Sequence, residues 1–346
     1  GDVIVGCAMP EAEQGMNVAR IGLLLAGLPI TVPGITINRF CSSGVQAVAD
    51  AANQIRLGLA DVMIAAGTES MSVMPQIMGN KMSMNPAIFS KEENIGIAYG
   101  MGLTAENVAK QWKISREEQD AFAVASNQKA CAAIAAGHFK AETTPYLISE
   151  SLPDLKSGLI KLRERTVDTD EGPRQDSSMA NLAKLKPVFH ARGSVTAGNS
   201  SQMSDGAAAV MIVSERILRQ HNLTPLARFA GYAVAGVAPE IMGIGPIAAI
   251  PKVLKQVGIT QDQLDWIELN EAFAAQAIAV MKELGINPDK VNPLGGAIAL
   301  GHPLGATGAI RIATLAHGLK RTGGKYGMVS MCIGTGMGAA GIIEAL

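Results

Sequence analysis

Ile35-Thr36-Ile37-Asn38-Arg39-Phe40-Cys41-Ser42-Ser43-Gly44 decides how this chain is read. Its first three residues close an apolar, β-branched segment. Val45-Gln46-Ala47-Val48-Ala49-Asp50-Ala51-Ala52 then sets small apolar residues at helical spacing. Cys41 therefore stands where a strand turns into a helix. The free N–H groups and the dipole at such a turn stabilise a thiolate and would cradle an oxyanion formed beside it. Taken alone, the stretch reads more readily as a buried, inert cysteine.

Around this turn, Asp2-Val3-Ile4-Val5 reads as a buried strand, Met16 to Ala26 as an amphipathic helix, and Asp61-Val62-Met63-Ile64-Ala65-Ala66-Gly67 as a further strand. Strand, helix and strand in this order imply a parallel sheet. From about Ser70 to Met203 the texture changes. A Met-rich, Pro-bearing stretch (Met71 to Phe89) precedes a polar helix (Ser115 to Gly137) opened by Ser115 with Glu118 three residues on. Turns and charges follow from Pro145 to Arg192, as in an inserted segment that carries binding function. Asp205 to Ser214 then resumes a sheet-like core.

The last third echoes the first. Asp265-Trp266-Ile267-Glu268-Leu269 opens like Asp2-Val3-Ile4-Val5. From Asp2 to Cys41 is 39 positions and from Asp265 to His302 is 37, and His302 again lies in a turn before a small-residue helix. Gly67-Thr68 and Gly334-Thr335 end the next strands alike. We read a duplicated βαβ module, α/β in class, with Cys41 and His302 at equivalent places facing one cleft. The expected domains are 1–70 with 204–223 (nucleophile half), 71–203 (inserted loop domain) and 224–346 (second half). The second half has a strand and helix, Leu226 to Gly258, with no counterpart before Gly1. One βα unit of roughly 40 residues is thus expected to be missing from the first half.

Composition narrows the function classes. The chain has 346 residues, 48% apolar but only 4% aromatic, with 38 glycines, which suits a layered α/β core of small aliphatic side chains. A net charge of −1 gives no nucleic-acid surface. Cys7, Cys41, Cys131 and Cys332 show no metal or disulfide spacing. A reducing compartment fits, with the cytoplasm expected, or an organelle matrix in a eukaryote. No apolar run reaches membrane-spanning length, and no signal peptide is visible.

Three polar segments stand out after Met203: Asn270-Glu271-Ala272-Phe273, Asn292 to Gly305 around His302, and Cys332-Ile333-Gly334-Thr335-Gly336. Each falls at the carboxyl end of a strand, where sites in open α/β sheets lie. Individually they have plainer readings: a satisfied core histidine, a small buried thiol, a helix cap. Gly336-Met337-Gly338-Ala339-Ala340-Gly341 imitates a dinucleotide fingerprint, but nothing after it supplies the helix and ribose-binding acid. His138, His190, His221 and His317 lie outside such turns.

Together with the Cys41 segment, these motifs resemble, in order and spacing from Asp2 to Leu346, the thiolases: acetyl-CoA acetyltransferases and 3-ketoacyl-CoA thiolases. The resemblance implies a five-layered αβαβα fold with an inserted loop domain, and a ping-pong reaction cleaving 3-ketoacyl-CoA with CoA to acetyl-CoA and a shortened acyl-CoA. It implies Cys41 as the acylated nucleophile, His302 as acceptor of its proton and Cys332 as second acid/base. One oxyanion site is implied at His302 and a water held by Asn270, the other at the N–H groups of Cys41 and Gly334. Coenzyme A enters as substrate, with no other cofactor and no metal. Met101, Ser178, Phe189, Ala197 and Ser201 are implied along the CoA, with Ala272 and Phe273 lining its tunnel. Lys161, Arg163, Arg165, Arg174, Lys184 and Lys186 supply positive charge nearby. The resemblance also implies a homodimer or homotetramer, to which the Met-rich stretch after Ser70 could contribute, and a partner in a β-oxidation complex.

Two departures bear on the branch. Gly100 stands where short-chain biosynthetic members carry a histidine, which favours broader 3-ketoacyl-CoA thiolysis over the acetoacetyl-CoA-forming reaction. The strand of the missing βα unit is expected within the first-half sheet, so its loss would expose a sheet edge. The alternatives are the biosynthetic thiolase, an inactive thiolase-like subunit, and a condensing ketosynthase, which uses two histidines where this chain has Asn270 and Cys332.

Overall fold

The structure, a computed structural model, describes residues 1–73 and 84–346. Most of the Met-rich stretch after Ser70 thus lies outside the described residues. Strand β1 (Val3–Gly6) is followed by helix α1 (Val18–Leu25), β2 (Gly34–Ile37), α2 (Ser43–Arg56) and β3 (Val62–Ser70). Then come α3 (Met101–Gln111), α4 (Arg116–Ala135), the hairpin β4 (Tyr146–Asp154) and β5 (Leu159–Val167), and β6 (Asp205–Val213). The second half holds α5 (Glu215–His221), β7 (Ala227–Gly236), α6 (Gly245–Val257), β8 (Leu264–Leu269), α7 (Ala274–Leu284), α8 (Leu304–Thr322), β9 (Tyr326–Ile333) and β10 (Met337–Ala345).

The duplication is visible in the strand order. The first sheet runs β2-β1-β3-β6, with β2 and β3 parallel to β1 and β6 antiparallel to β3. The second runs β7-β10-β9-β8, with β8 parallel to β9 and β10 antiparallel to it, and a bridge from Ile267 to Val291 stands where β2 stands in the first. Among the described residues, only the second sheet has a further strand, β7, on the outer side of β10. The corresponding side of β6 has no partner among the described residues. The edge left uncovered relative to the second sheet is therefore at β6, at the opposite margin from β2, and not within the sheet as expected. The reason is topological: β7 returns antiparallel to the last strand of its half, so its counterpart would border β6.

Helices α2 and α8 lie between the sheets, α1 packs on β1 and β2 of the first and α6 on the second, which yields the expected five layers. The central core joins Val45, Val48, Met63, Ile312, Leu315 and Met331 from both halves. Close approach explains the small residues. A Cβ on Gly44 would stand 2.5 Å from the Ala309 nitrogen, and one on Gly308 would stand 2.2 Å from the Val45 nitrogen. Glycine at both crossings lets the starts of the two central helices touch. In the inserted segment, α4 begins with the capping box read from Ser115 and Glu118. Its polar face is buried, with Arg116 paired to Asp120 at 2.8 Å and Asp120 accepting from Asn199 at 2.9 Å. No helix among the described residues is long and apolar enough to cross a membrane. The segment imitating a dinucleotide fingerprint is strand β10.

Candidate active site

After β2 the chain passes through Phe40 at φ 45°, a left-handed conformation that a bulky residue adopts only under constraint. The constraint is local. The Arg39 N–H donates to Ser43 Oγ at 2.8 Å, and the Ser43 hydroxyl donates to the Phe40 carbonyl at 2.7 Å. One 3₁₀ turn, Phe40–Ser42, then delivers Cys41 to the start of α2. Burial pushes the Cys41 thiol up to about 11, while the N–H groups of Gly334 and of Cys41 itself pull the other way. Those two N–H groups are the pair expected to hold an oxyanion. Gly334 therefore links the nucleophile turn to the end of β9.

Cys332 is the penultimate residue of β9 and fully buried. Burial, then the neighbouring Cys41, raise its thiol far above the ordinary range. The following turn uses two left-handed residues, Thr335 at φ 66° and Gly336 at φ 89°, to reverse the chain into β10. Met242 and Ala272 pack against Cys332, with Phe273 beside them, which brings the Asn270 segment to the same point.

His302 is buried between two helices. Its Nε2 lies 3.3 Å from Asn270 Nδ2, and its Nδ1 lies 2.7 Å from Thr307 Oγ1, one turn into α8. With the Asn270 amide as donor, Nε2 accepts and the Nδ1–H donates to Thr307, so the lone pair faces the Asn270 side. Burial, then the Arg311 cation, push His302 down to about 3. Asn270 is itself fixed: its N–H donates to Ser330 at 2.9 Å and its carbonyl accepts from Gln276 at 3.0 Å. Its Oδ1 is buried without a hydrogen-bond partner among the described residues. An unsatisfied buried acceptor is costly, and one on the side chain that contacts His302 is a candidate binding feature. Burial thus disfavours both the Cys41 thiolate and the His302 imidazolium, which favours transfer of the thiol's proton as a bond forms and not beforehand.

The residues expected along CoA divide into two groups. Met101, Phe189, Ala272, Phe273 and Ser201 are linked by short contacts that reach the Gly334 turn. Met101 Sδ lies 3.9 Å from where a Cβ on Gly334 would stand. Phe189 and Phe273 meet edge to face at 6.0 Å. The Ser201 N–H donates to the Ala272 carbonyl at 2.9 Å. Ser178 and Ala197 belong to a neighbouring unit: Ser178 caps a one-turn helix, Met179–Leu182, and Ala197 opens a 3₁₀ turn, Ala197–Asn199. That turn packs on the helix, since a Cβ on Gly198 would stand 2.5 Å from Leu182 Cδ2. The basic supply is smaller than the sequence suggests. Lys161 pairs with Asp154 at 2.6 Å and Arg165 with Glu171 at 3.3 Å, so their charge is already matched.

Several contributors escaped the sequence reading. Thr307 is the direct partner of His302. Glu271 accepts from Ser126 and Asn292, each at 2.7 Å, and from the Ile298 N–H at 3.2 Å. Arg311 lies buried 3.6 Å from Glu268, whose carboxyl burial pushes up to about 7. Glu69, at the end of β3, accepts from both halves of the molecule. For Glu69 and Glu268 the sequence signal was present but weak: isolated carboxylates near the ends of otherwise apolar strands.

Comparison with known proteins agrees with this geometry. Residues 1–216 match the description "Thiolase, N-terminal domain" and residues 223–345 "Thiolase, C-terminal domain". The chain is 50% identical over 344 residues to 3-ketoacyl-CoA thiolase of Bacillus subtilis, covering 99% of this chain and 87% of that protein. Among solved structures, the Bacillus anthracis acetyl-CoA acetyltransferase superposes with a TM-score of 0.88 at 42% identity, over 100% of this chain and 87% of that one. The dimeric peroxisomal thiolase of Saccharomyces cerevisiae gives 0.88 at 42% identity, over 100% and 84%. The family resemblance carried by the four motifs extends through the whole fold, and the chain belongs to the thiolase family.

Proposed function

We propose that this protein is a CoA-dependent acyltransferase that cleaves 3-ketoacyl-CoA with CoA, giving acetyl-CoA and an acyl-CoA two carbons shorter. The single observation that carries the residue assignment is the Gly334 turn, whose N–H meets the Cys41 thiol two residues beyond Cys332. Cys41 sulfur adds to the 3-keto carbon while His302 Nε2 takes its proton. The oxyanion collapses, the C2–C3 bond breaks, and the electron pair leaves on C2 as the acetyl-CoA enolate. Cys332 gives its proton to C2, releasing acetyl-CoA and leaving acyl-Cys41. Incoming CoA thiol gives its proton to the Cys332 thiolate and adds to the acyl carbon. Cys41 then departs as sulfur and regains its proton from His302. The chemistry closes on the protein's own groups, with coenzyme A as substrate and no resident cofactor.

Each charged stage has a candidate donor. The N–H groups of Cys41 and Gly334 serve the tetrahedral oxyanion, and a water on the free Oδ1 of Asn270, beside His302, serves the enolate. The segment 71–203 contributes Met101, Ser178, Phe189, Ala197 and Ser201 to CoA, while residues 1–70 with 204–223 and 224–346 form the two catalytic halves. Gly100 leaves room before Met101 and favours longer acyl chains over an acetoacetyl-CoA-forming role. Cytoplasm or an organelle matrix suits the free thiols.

The assembly is a homodimer. Strand β2 is an open sheet edge, and Ile21, Leu25, Ile30 and Ile35 beside it are 43%, 84%, 80% and 47% exposed. An apolar patch at a strand edge is the kind of surface a second copy covers; a homotetramer or a larger β-oxidation assembly would be built on that dimer. Light scattering of Ile35→Lys, expected to give monomer, tests this.

Incubation with a 3-ketoacyl-CoA series plus CoA tests the function. Thiolysis extending beyond the four-carbon substrate is expected, and Cys332→Ala should form acyl-Cys41 without turning over. Full thiolysis by that variant would refute the division of labour between the two cysteines.

A further inference from the structure

Helix α8 carries Thr307, the partner of His302, yet it has no cap of its own: Pro303 occupies the capping position and offers no side-chain acceptor. The preceding one-turn helix, Ala297–Leu300, is likewise uncapped, with Gly296 in that place. His302 thus follows one uncapped helix and leads into another, and the starting N–H groups of both must be satisfied from elsewhere. Glu271 serves the first, accepting from the Ile298 N–H at 3.2 Å. Glu69 serves the second, accepting from the Gly305 N–H at 2.9 Å.

Glu69 belongs to the opposite half of the molecule. It is 1% exposed, and besides Gly305 it accepts from the Ala8 N–H at 2.7 Å, the Met9 N–H at 3.2 Å and Gln14 Nε2 at 2.8 Å. With the Cys7 thiol at 3.7 Å, five donors surround this one side chain, and a carboxylate has the acceptor sites to meet them. Its negative charge also suits the start of a 19-residue helix. The fit is tight, because a Cβ on Gly305 would stand 2.7 Å from the Ala8 nitrogen.

We propose that Glu69 is a positioning residue for the reaction: it caps α8 from the nucleophile half, and so sets Thr307 and through it the His302 ring against Cys41. Glu69 touches neither substrate nor His302. It couples the two half-sites, so that the base is registered to the nucleophile by a carboxylate from the nucleophile's own sheet. The inference rests on His302 acting at Cys41.

The test compares Glu69→Gln, Thr307→Val and their combination in thiolysis. Glu69→Gln keeps volume but presents an amide N–H to a cluster of donors, and Thr307→Val deletes the hydroxyl on Nδ1. Each single change should lower kcat about 10- to 100-fold with KM for CoA unchanged, since displacement of a base by a fraction of an ångström costs this much. The double variant should lose little more than the worse single one, because both act through one ring. Gln14→Leu removes another Glu69 partner without touching Gly305, and should lower Tm while leaving kcat intact. An unchanged kcat in Glu69→Gln, or losses that multiply in the double variant, would overturn the proposal. Should Glu69→Gln not fold, the Gly305 amide of the unmodified protein decides: strong protection from hydrogen exchange is expected, and free exchange is contrary to a cap. Full activity in His302→Asn would instead sink the underlying site assignment, leaving the Gly305 cap standing.

Discussion

The two halves share one plan and differ at the point where chemistry is done. In the first, β2 ends and a single strained turn at Phe40 presents Cys41 at the start of α2. In the second, the chain leaves the Val291 bridge through a glycine-punctuated loop and a one-turn helix before presenting His302 ahead of α8. The cysteine needs backbone N–H groups, which a tight turn supplies. The histidine needs a fixed ring with one nitrogen kept as acceptor, which side-chain partners on both nitrogens provide. Symmetry brings the two helix starts together; the asymmetry of their approaches decides what each start can do.

The largest expected effect breaks the second half alone. His302→Asn removes the proton acceptor and keeps a residue of similar shape, and should lower kcat/KM by about 10²- to 10⁴-fold. Steady-state thiolysis measures this; a loss under threefold would mean that the histidine is not the base. Next comes the contact between the halves. Gly44→Ala places a methyl 2.5 Å from the Ala309 nitrogen and should destabilise the fold by about 1–3 kcal/mol. Gly22→Ala, in helix α1 with open space around it, should instead gain about 0.5–1 kcal/mol. Urea melts of the pair check whether the central crossing, and not glycine content in general, holds the halves together.

A subtler test concerns protonation. Burial holds Cys41 up at about 11 and His302 down at about 3, so the thiol, and not an ion pair, is the resting form. Alkylation by a neutral haloacetamide needs the thiolate. Below the thiol's own value the ionised fraction, and the rate, should rise about tenfold per pH unit from 7 to 9 without a plateau. His302 stays neutral over that range and adds no step near its ordinary value. A rate that levels off by pH 7.5 would show a preformed thiolate–imidazolium pair.

Much of this was legible in the sequence, because the signals were local. The turn at Cys41, the capping box at Ser115, and the glycines beside His302 and Cys332 each encode backbone geometry within a few residues. The repeat was legible since strand openings and turn chemistry recur at similar spacing. What stayed hidden depends on distance along the chain. Glu69 meets Gly305 only because two sheets close on a shared helix layer, and nothing near Glu69 announces that partner. Thr307 reads as an ordinary helix residue until the ring of His302 is seen above it. The place of the open edge at β6 needed the antiparallel return of β7, which periodicity does not report. Lys161 and Arg165 looked like a phosphate-binding supply because their cross-strand carboxylate neighbours become apparent only in the hairpin.

The central claim is that Cys41 carries the acyl group between two half-reactions. Intact-mass measurement after exposure to a 3-ketoacyl-CoA without added CoA tests it most directly. The account predicts one acyl adduct per chain, mapped to Cys41, discharged by CoA and absent from Cys41→Ala. An adduct on Cys332, or turnover by Cys41→Ala at the unmodified rate, would contradict it.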